Sequence, residues 1–533
     1  MSTLEYSARR FWRPWLPRLR AAASARSIRT EIWILGALIV TAAAIRIVTI
    51  DNQSLWMDEA LTAYEAHLPF GAMLNTVVHV ETTPPLYFLL AWASAKLFGP
   101  GAVAIRLVST VAGIGLVPIA YLTGRDLISR RAGLLSAALA ASSPFLIWYS
   151  QEARSYMLLG TLTGASFLWF VRASRDPSRR NLAWWAGCSS LALMTHFFAG
   201  FIVAPEAIWL LGISRTRRVG CALGAVIAVE VAIAPLAFLD TSHSTGWIHG
   251  LPIVNRLGGA SLEFGLATLY RDFTAAQGLI GAGVLLLVLA AVLIFGGDRV
   301  TRRAAALGGV ILTAGILTPL ALMAVGQDYF LSRNLMPIWL PLATVVTAAC
   351  VAPRARLAGA ALSAIVIAGS VYATIDVQTN PALQRPAWRQ LANVIGPASA
   401  PRAILAAGGF ATDPLKVYLP HVNWVQPQGR KVLIAEVDVI GARRGQPVLP
   451  RGATSYTLPD GRPTAGQNGV AMPRSLTPLA TTVAHVRVDQ WVLARFALRH
   501  PTWIDVNQLK ALAPQLFHRA PIKLLVFFQT PGR

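Results

Sequence analysis

Two adjacent carboxylates follow the first apolar run of the chain. The segment Ser54-Leu55-Trp56-Met57-Asp58-Glu59-Ala60 lies just after the run Glu31–Ile50. Carboxylates at the edge of an apolar layer are costly unless they are paired or functional, and an oriented carboxylate can take a proton from a hydroxyl group. The alternative is a helix N-terminus, where acidic side chains interact favourably with the helix dipole. Asp58 and Glu59 are therefore candidate catalytic groups, with Trp56 beside them as a candidate substrate contact.

A second acidic segment precedes a short apolar stretch. It reads Glu81-Thr82-Thr83-Pro84-Pro85-Leu86-Tyr87, and its prolines suit the first turn of a helix. Glu81 and Tyr87 are candidate substrate-binding residues. The alternative for Glu81 is that its charge only favours the start of that helix.

The third segment is Tyr149-Ser150-Gln151-Glu152-Ala153-Arg154-Ser155-Tyr156, a turn of a few residues between two apolar runs. Charges in so short a turn are expected to face the protein. Glu152 is therefore a candidate catalytic residue, and Arg154 and Tyr156 are candidate binding residues. A local ion pair or a contact with lipid headgroups is the alternative.

His196 and Arg333 complete the candidate binding residues. His196 ends an apolar run, where an ordinary interfacial histidine is the alternative. Arg333 follows Asp328 and Tyr329 between two later runs. A guanidinium group suits phosphate because its planar fork donates two parallel hydrogen bonds and stays charged.

The composition indicates the elements that position these residues. Of 533 residues, 55% are hydrophobic and 13% are charged, with a mean hydropathy of +0.53. Soluble domains carry about 25% charged residues, so soluble, disordered, collagen-like and coiled-coil classes are excluded. The sequence predicts a polytopic α-helical membrane protein.

The charge of the chain reports on its topology. The net charge is +23, and 42 of the 47 basic residues are arginine. A bound polyanion is one explanation, but most arginines fall in short gaps between apolar runs, which indicates orientation in a membrane and not nucleic-acid binding. The three cysteines, in or at the end of apolar runs, support neither a disulfide framework nor a metal site.

The positive-inside rule places the basic N-terminus (residues 1–30) and the arginine-rich gaps in the cytoplasm. Pro84–Phe98, at 15 residues, is interpreted as an interfacial or re-entrant helix because counting it as a span would place Arg125–Arg131 outside. About eleven transmembrane helices are then predicted within residues 31–375, with an outer loop at 51–104 that carries juxtamembrane helices. The predicted spans are 31–50, 105–124, 132–149, 155–171, 182–198, 199–213, 219–239, 277–296, 304–325, 335–352 and 357–375.

Residues 376–533 have a different composition, with frequent proline and glycine and short β-rich runs. Ala403–Ala407, Lys431–Val437, Trp491–Leu498 and Lys523–Gln529 are predicted strands, and Pro386–Ile395 is a predicted helix. We expect a small extracytoplasmic α/β domain here, on the outer side of the membrane.

These motifs, in this order, resemble those of the GT-C glycosyltransferases that use lipid-linked sugars, specifically the family 39 type. That group includes the protein O-mannosyltransferases and the bacterial aminoarabinose transferases that modify lipid A. The resemblance covers residues 30–375, and Thr83 and Asn334 depart from the residues that many relatives have there. The matching segments are Trp56–Glu59, Glu81–Tyr87, Tyr149–Tyr156 and Ser332–Asn334.

The resemblance implies a GT-C-like catalytic domain and sugar transfer from a polyprenyl-phosphate donor to a hydroxyl acceptor. The sugar would be mannose- or arabinose-like, and the acceptor a lipid, a glycan or a protein. Asp58 matches the acidic residue proposed as the base, and Glu152 matches the second acidic residue of the site. A single displacement would invert the anomeric centre. The family's use of metal varies, so a divalent metal stays open, and no His/Asp/Glu cluster in the sequence demands one.

Two other classes remain open. A transporter or flippase for a lipid-linked saccharide would also need many spans, and it predicts ionisable residues near the membrane centre, for which Arg46, Glu206 and Glu230 are the candidates. A non-catalytic cell-envelope assembly protein could use the outer domain to bind glycan. The arginine-rich, lysine-poor composition is associated with bacteria of high GC content, which suggests the inner (plasma) membrane.

The predicted topology can be tested by labelling single cysteines from each side of the membrane. Cysteine replaces Ser178, in an arginine-rich gap, or Ser399, in the C-terminal region, in a chain without its natural cysteines. Because the arginine-rich gaps are expected inside, a membrane-impermeant thiol reagent should reach these two positions from opposite sides. Labelling of both from one side would contradict the topology.

Overall fold

The computed structural model describes residues 25–81, 83–239, 248, 250–266, 274–380, 383–407, 413–420, 422, 431–442, 456–457, 463–464, 480–488, 491–511 and 524–531. Residues 1–24 of the predicted basic N-terminus and Thr82 lie outside these residues. The predicted topology also gives an outer loop at 240–276, between two spans, and its residues 240–247, 249 and 267–273 lie outside the described residues.

The chain forms two compact units. The first comprises Met1–Asp51 and Glu65–Leu383, and the second comprises Asn52–Tyr64 and Gln384–Arg533. The boundary therefore passes through the helix Met57–His67, and the segment that contains Asp58 belongs with the C-terminal residues. The sequence alone gave no indication of this grouping.

The described elements before the C-terminal region are helical. In chain order they are α1 (Ala25–Val48), α2 (Met57–His67), α3 (Phe70–Val80), α4 (Leu86–Phe98), α5 (Ala102–Leu127), α6 (Arg130–Ser142), α7 (Pro144–Ser150), α8 (Tyr156–Arg175), α9 (Arg179–Thr195), α10 (Gly200–Ile213), α11 (Arg217–Ile233), α12 (Leu236–Leu239), α13 (Ile253–Leu266), α14 (Ala275–Ala291), α15 (Arg299–Ala324), α16 (Trp339–Cys350) and α17 (Arg356–Thr379). Short 3₁₀ segments at Phe197–Ala199 and Ser332–Ile338 lead into α10 and α16.

Several of these helices can cross a membrane. Among the described residues, five are long and apolar enough, namely α1, α5, α14 with its continuation to Gly296, α15 and α17. The pair α6 and α7, bent by 55°, makes a sixth if it is counted as one span. A described helix lies at each of the eleven predicted spans, but the others do not meet both criteria, so the number eleven stays a prediction.

The short helix predicted after the paired prolines is confirmed as α4. It has 13 residues and ends at Phe98. Gly99 follows with a φ of 92°, a left-handed conformation that glycine adopts without a Cβ clash. At 1.5 Å per residue, α4 is about 20 Å long, shorter than the roughly 30 Å hydrocarbon layer. Its place at the membrane surface stays a prediction.

The bend between α6 and α7 is built by a proline and a buried arginine. Ser143 caps α7 by accepting the N–H of Leu146, and Pro144 needs no N–H partner in the first turn. The fully buried Arg46 of α1 donates to the carbonyls of Ala140 (3.0 Å) and Ala141 (3.1 Å) at the end of α6. These bonds satisfy carbonyls that the helix end leaves open.

The second unit contains a five-stranded sheet in the order β5-β6-β2-β1-β7. β1 and β2 are parallel, and the other neighbours are antiparallel. The elements of this region are α18 (Trp388–Ile395), β1 (Arg402–Ala407), α19 (Asp413–Tyr418), β2 (Lys431–Ala442), β3 (Tyr456–Thr457), β4 (Pro463–Thr464), β5 (Ala480–Val488), β6 (Trp491–Asp505), α20 (Val506–Ala511) and β7 (Leu524–Gln529). The four predicted strands are present in their described residues, and two of them, β2 and β6, extend beyond the predicted ends. The predicted helix begins at Trp388, two residues later than predicted.

Alternation of side chains gives the sheet a core on each face. Ile404 and Ala406 pack with Leu391 of α18, whereas Ala403 and Leu405 pack in a separate cluster with residues of α20. Successive side chains of a strand point to opposite faces, so both faces of this sheet are covered. The location of the sheet outside the membrane stays a prediction.

Candidate functional site

The turn that carries Glu152 and Arg154 is held by two helices of the first unit. From α5, the hydroxyl groups of Thr110 and Ser109 donate to the carbonyls of Ser150 (2.8 Å) and Arg154 (3.1 Å). From the α1 side, Arg46 Nε donates to Ser150 Oγ (3.0 Å). A Cβ at Gly113 would overlap Ser150 Oγ, so glycine lets α5 approach the turn.

Arg154 forms a buried, bidentate ion pair with Glu81. Nη1 lies 2.6 Å from Oε1 and Nη2 lies 2.8 Å from Oε2. Both residues are buried, and the guanidinium group also lies 5.4 Å from the centroid of the Phe88 ring. A fork-to-fork pair of this kind is strong and directional. The structure thus brings together two predicted site residues that are 73 positions apart in the sequence.

Glu65, at the end of α2, is a third acidic group in this region. Its carboxyl group is buried, and neither oxygen has a hydrogen-bond partner among the described residues. Burial, followed by the nearby Glu81 carboxylate, raises the pKa of Glu65 to about 9, although Arg154 opposes this shift. Glu65 is therefore a neutral carboxylic acid near pH 7.

Tyr156, His196 and Arg333 meet beside the turn. The Arg333 guanidinium lies 5.5 Å from the centroid of the Tyr156 ring, and the centroids of Tyr156 and His196 are 5.8 Å apart. The charge of Arg154 also acts on the His196 imidazole. The charges of Glu152 and Arg333 both act on the Tyr149 hydroxyl group. We call these residues the polar cluster: Glu65, Glu81, Glu152, Arg154, Tyr156, His196 and Arg333.

The segment before Arg333 is fixed by α13. Arg256 pairs with Asp328 at 2.6 Å and donates to the carbonyl of Phe330 at 3.2 Å, with both charged groups buried. One end of α13 thus holds the backbone two residues before Ser332. The other end supplies Glu263, which hydrogen-bonds Ser332 and lies near Arg333.

Glu263 responds to two opposing influences. Burial raises its pKa above the ordinary glutamate value, and the Ser332 hydrogen bond and the Arg333 charge act against that shift. Arg333 itself is only half-buried. A guanidinium group that is oriented on a tyrosine ring and still reachable can bind an anion.

Sequence reasoning missed Glu65, Arg256 and Glu263. A signal was available for Arg256, because an arginine in a predicted outer loop runs against the positive-inside bias just as Arg333 does. Glu65 carries no such signal, since its importance comes from burial next to the Glu81–Arg154 pair. Tyr87 is placed in the core: its hydroxyl group donates to the Ile105 carbonyl at 3.2 Å.

Trp56, Asp58 and Glu59 belong to the second unit. Asp58 is half-buried in the first turn of α2. Glu59 is fully buried, its Oε2 lies 3.3 Å from Nη1 of Arg385, and it accepts the N–H of Trp56 at 3.4 Å. The adjacent carboxylates are therefore in unlike surroundings.

No group of three or more His, Cys, Asp or Glu side chains that could hold a metal ion occurs within the described ranges.

Residues 82–238 match the family described as dolichyl-phosphate-mannose-protein mannosyltransferase. This region contains Glu152, Arg154, Tyr156 and His196. Among solved structures, ArnT from Cupriavidus metallidurans in the apo state is similar, with a TM-score of 0.51 and 12% identity over 88% of this chain and 98% of that one. The resemblance to GT-C glycosyltransferases of the family 39 type is confirmed. At 12% identity, the similarity to ArnT shows a shared fold. With its long apolar helices, the protein is an integral membrane protein.

Two further structures are more distant. The Pmt1-Pmt2 protein O-mannosyltransferase complex of Saccharomyces cerevisiae has a TM-score of 0.32 and 17% identity, over 43% of this chain and 34% of that one. The oligosaccharyltransferase of Archaeoglobus fulgidus in the apo form has a TM-score of 0.42 and 12% identity, over 68% of this chain and 57% of that one. No curated protein sequence matches the chain.

The neutral state of Glu65 predicts how stability changes with pH. The pKa of this carboxyl group rises from 4.5 to about 9 on folding. Its contribution to the stability of the folded protein is therefore complete below pH 4.5 and falls as the pH rises from 4.5 to about 9. Glu65→Gln keeps the shape of the side chain and cannot ionise. The Tm of this variant relative to that of the wild type should therefore increase between about pH 5 and pH 9.

The matched control is Asp176→Asn, at an exposed carboxylate, whose Tm should follow that of the wild type across the same range. Parallel Tm profiles for Glu65→Gln and the wild type would show that Glu65 is ionised in the folded protein.

Proposed function

We propose that the protein is a membrane glycosyltransferase that moves a mannose- or arabinose-like sugar from a polyprenyl-phosphate donor to a hydroxyl acceptor. The observation that carries the proposal is the family match of residues 82–238, which contains the Glu152–Tyr156 turn and His196. That family is described by its use of dolichyl-phosphate-mannose, a sugar on a lipid phosphate. The shared fold with ArnT supports the same class.

The donor is expected at the polar cluster, with its phosphate beside Arg333 and its isoprenoid tail in the bilayer. Two observations support this position. The Arg333 guanidinium group is half-buried on the Tyr156 ring, and the ion pair between Arg256 of α13 and Asp328 fixes the segment before Arg333. Arg333 would bind the phosphate through two parallel hydrogen bonds. Its charge would also stabilise the lipid phosphate as the leaving group.

Asp58 is proposed as the general base. The acceptor oxygen attacks the anomeric carbon while its proton passes to Asp58, the bond from that carbon to the phosphate oxygen breaks, and the polyprenyl phosphate leaves. The anomeric centre is inverted because there is one displacement. Glu152, the second acidic residue that the family resemblance indicates, would interact with sugar hydroxyl groups. The acceptor can be a lipid, a glycan or a protein.

This proposal includes the orientation of the enzyme. The arginine-rich gaps and the N-terminus would be cytoplasmic, with eleven spans, and the sheet of the second unit would be extracytoplasmic. Transfer would then take place on the outer face of the membrane.

A transfer assay with the purified full-length protein tests the proposal. Polyprenyl-phosphate mannose and polyprenyl-phosphate arabinose, each labelled in the sugar, are supplied with an envelope extract as the acceptor source. We expect label in the acceptor fraction and release of polyprenyl phosphate. Translocation of the intact donor across proteoliposomes without bond cleavage would support a transporter, and binding of glycan alone would support an assembly protein.

Asp58→Asn keeps the side-chain shape and removes the proton acceptor. Turnover should fall by roughly 10²–10⁴-fold, the usual worth of general acid–base catalysis, and donor binding should change little. The control is Asp51→Asn, at an exposed carboxylate seven positions earlier, which should keep wild-type turnover. Near-normal turnover of Asp58→Asn would show that Asp58 is not the base.

A further inference from the structure

The buried carboxylate of Glu59 is held by a residue from the far end of the sequence. Arg385 is buried and places Nη1 3.3 Å from Glu59 Oε2, across 326 positions of the chain. The same oxygen accepts the backbone N–H of Trp56 at 3.4 Å. Glu59 therefore links the start of α2 both to the preceding turn and to Arg385, within the second unit.

Four hydrogen bonds that involve side chains extend this connection along residues 53–55. The N–H of Arg385 donates to Gln53 Oε1 (2.9 Å), and the N–H of Leu55 donates to Tyr418 Oη (2.7 Å). Ser54 Oγ accepts the N–H of Arg389 (3.1 Å) and donates to Gln390 Oε1 (3.2 Å). Each of the three residues before Trp56 is thus bonded to the region from Arg385 to Tyr418.

The direction of the side chains gives this attachment its consequence. Neighbouring residues of an α-helix point about 100° apart around its axis. With Glu59 fixed on Arg385, the direction of Asp58 is fixed too, and Asp58 stays half-buried instead of entering the same contact. A buried ion pair resists rearrangement, because movement of one partner leaves the other charge uncompensated.

We propose that Glu59 and Arg385 are positioning residues, whose ion pair orients Asp58 for the acceptor. The C-terminal region then takes part in catalysis through Arg385, which acts on Asp58 by way of Glu59. This inference rests on the proposed function, in which Asp58 is the base. It assigns no proton transfer to Glu59.

A double-mutant cycle separates positioning from catalysis. Glu59→Gln and Arg385→Gln each leave one buried charge uncompensated, and each should lower kcat by up to about 100-fold through misplacement of Asp58, with the KM for the donor little changed. The double variant has two neutral amides that can bond each other, so its kcat should exceed that of either single variant. A double variant as inactive as Glu59→Gln would show that Glu59 takes part in the chemistry itself.

Two further variants keep the cycle interpretable if a glutamine variant folds poorly. Arg385→Lys retains the charge and should keep more activity than Arg385→Gln. The control is a double variant, Lys416→Gln with Asp413→Asn, at an ion pair 2.7 Å apart in α19 that joins the exposed Lys416 to the half-buried Asp413. This change should leave kcat unchanged. Equal losses in Arg385→Lys and Arg385→Gln would overturn the role of the ion pair.

Hydrogen–deuterium exchange distinguishes failure of this inference from failure of the proposed function. The amides of Leu55 and Trp56, both hydrogen-bonded in this contact, should exchange faster in Arg385→Gln than in the wild type, and more slowly again in the double variant. Unchanged exchange in Arg385→Gln would overturn the positioning role whatever the activity. A wild-type protein without transferase activity would instead overturn the proposed function, and the exchange result would still decide the contact.

Discussion

Charge that is withdrawn from water must be compensated, and this requirement governs the polar parts of the molecule. A buried charge whose partner is lost is strongly destabilising. The chain meets the requirement by joining distant segments: Arg154 with Glu81 and Arg256 with Asp328 in one unit, and Arg385 with Glu59 in the other. Each pair fixes a loop or turn that also carries a candidate functional residue.

Some buried ionisable groups have no oppositely charged partner and are stabilised in another way. Arg46 uses carbonyl groups at a helix end and the hydroxyl group of Ser150, and so sets the position of the turn that bears Glu152. Glu65 has no such partner among the described residues, and its carboxyl group is instead protonated. Arg333, near the Glu263 carboxyl group, lies half-buried on the Tyr156 ring beside the turn. The proposed phosphate site thus has a half-buried guanidinium group in fixed surroundings.

Local patterns in the sequence predicted much of the fold. Apolar runs located the helices, paired prolines located the start of α4, and β-rich runs located β1, β2, β6 and β7, because each pattern acts within a few residues. The pairings could not be predicted in the same way. Glu81 finds Arg154 across 73 positions and Glu59 finds Arg385 across 326, and only the packed helices and the sheet bring those residues together. The burial of Glu65 is likewise a property of the packing. The grouping of Asn52–Tyr64 with the C-terminal residues has the same origin.

In the proposed function, the polar cluster receives the phosphate of a lipid-linked donor at Arg333. Determination of the structure of the full-length protein in nanodiscs with a polyprenyl phosphate tests it most directly. We expect phosphate density within hydrogen-bond distance of the Arg333 guanidinium, with the isoprenoid tail leading into the bilayer. Phosphate bound instead at an arginine-rich gap such as Arg215–Arg218, with none beside Arg333, would contradict it.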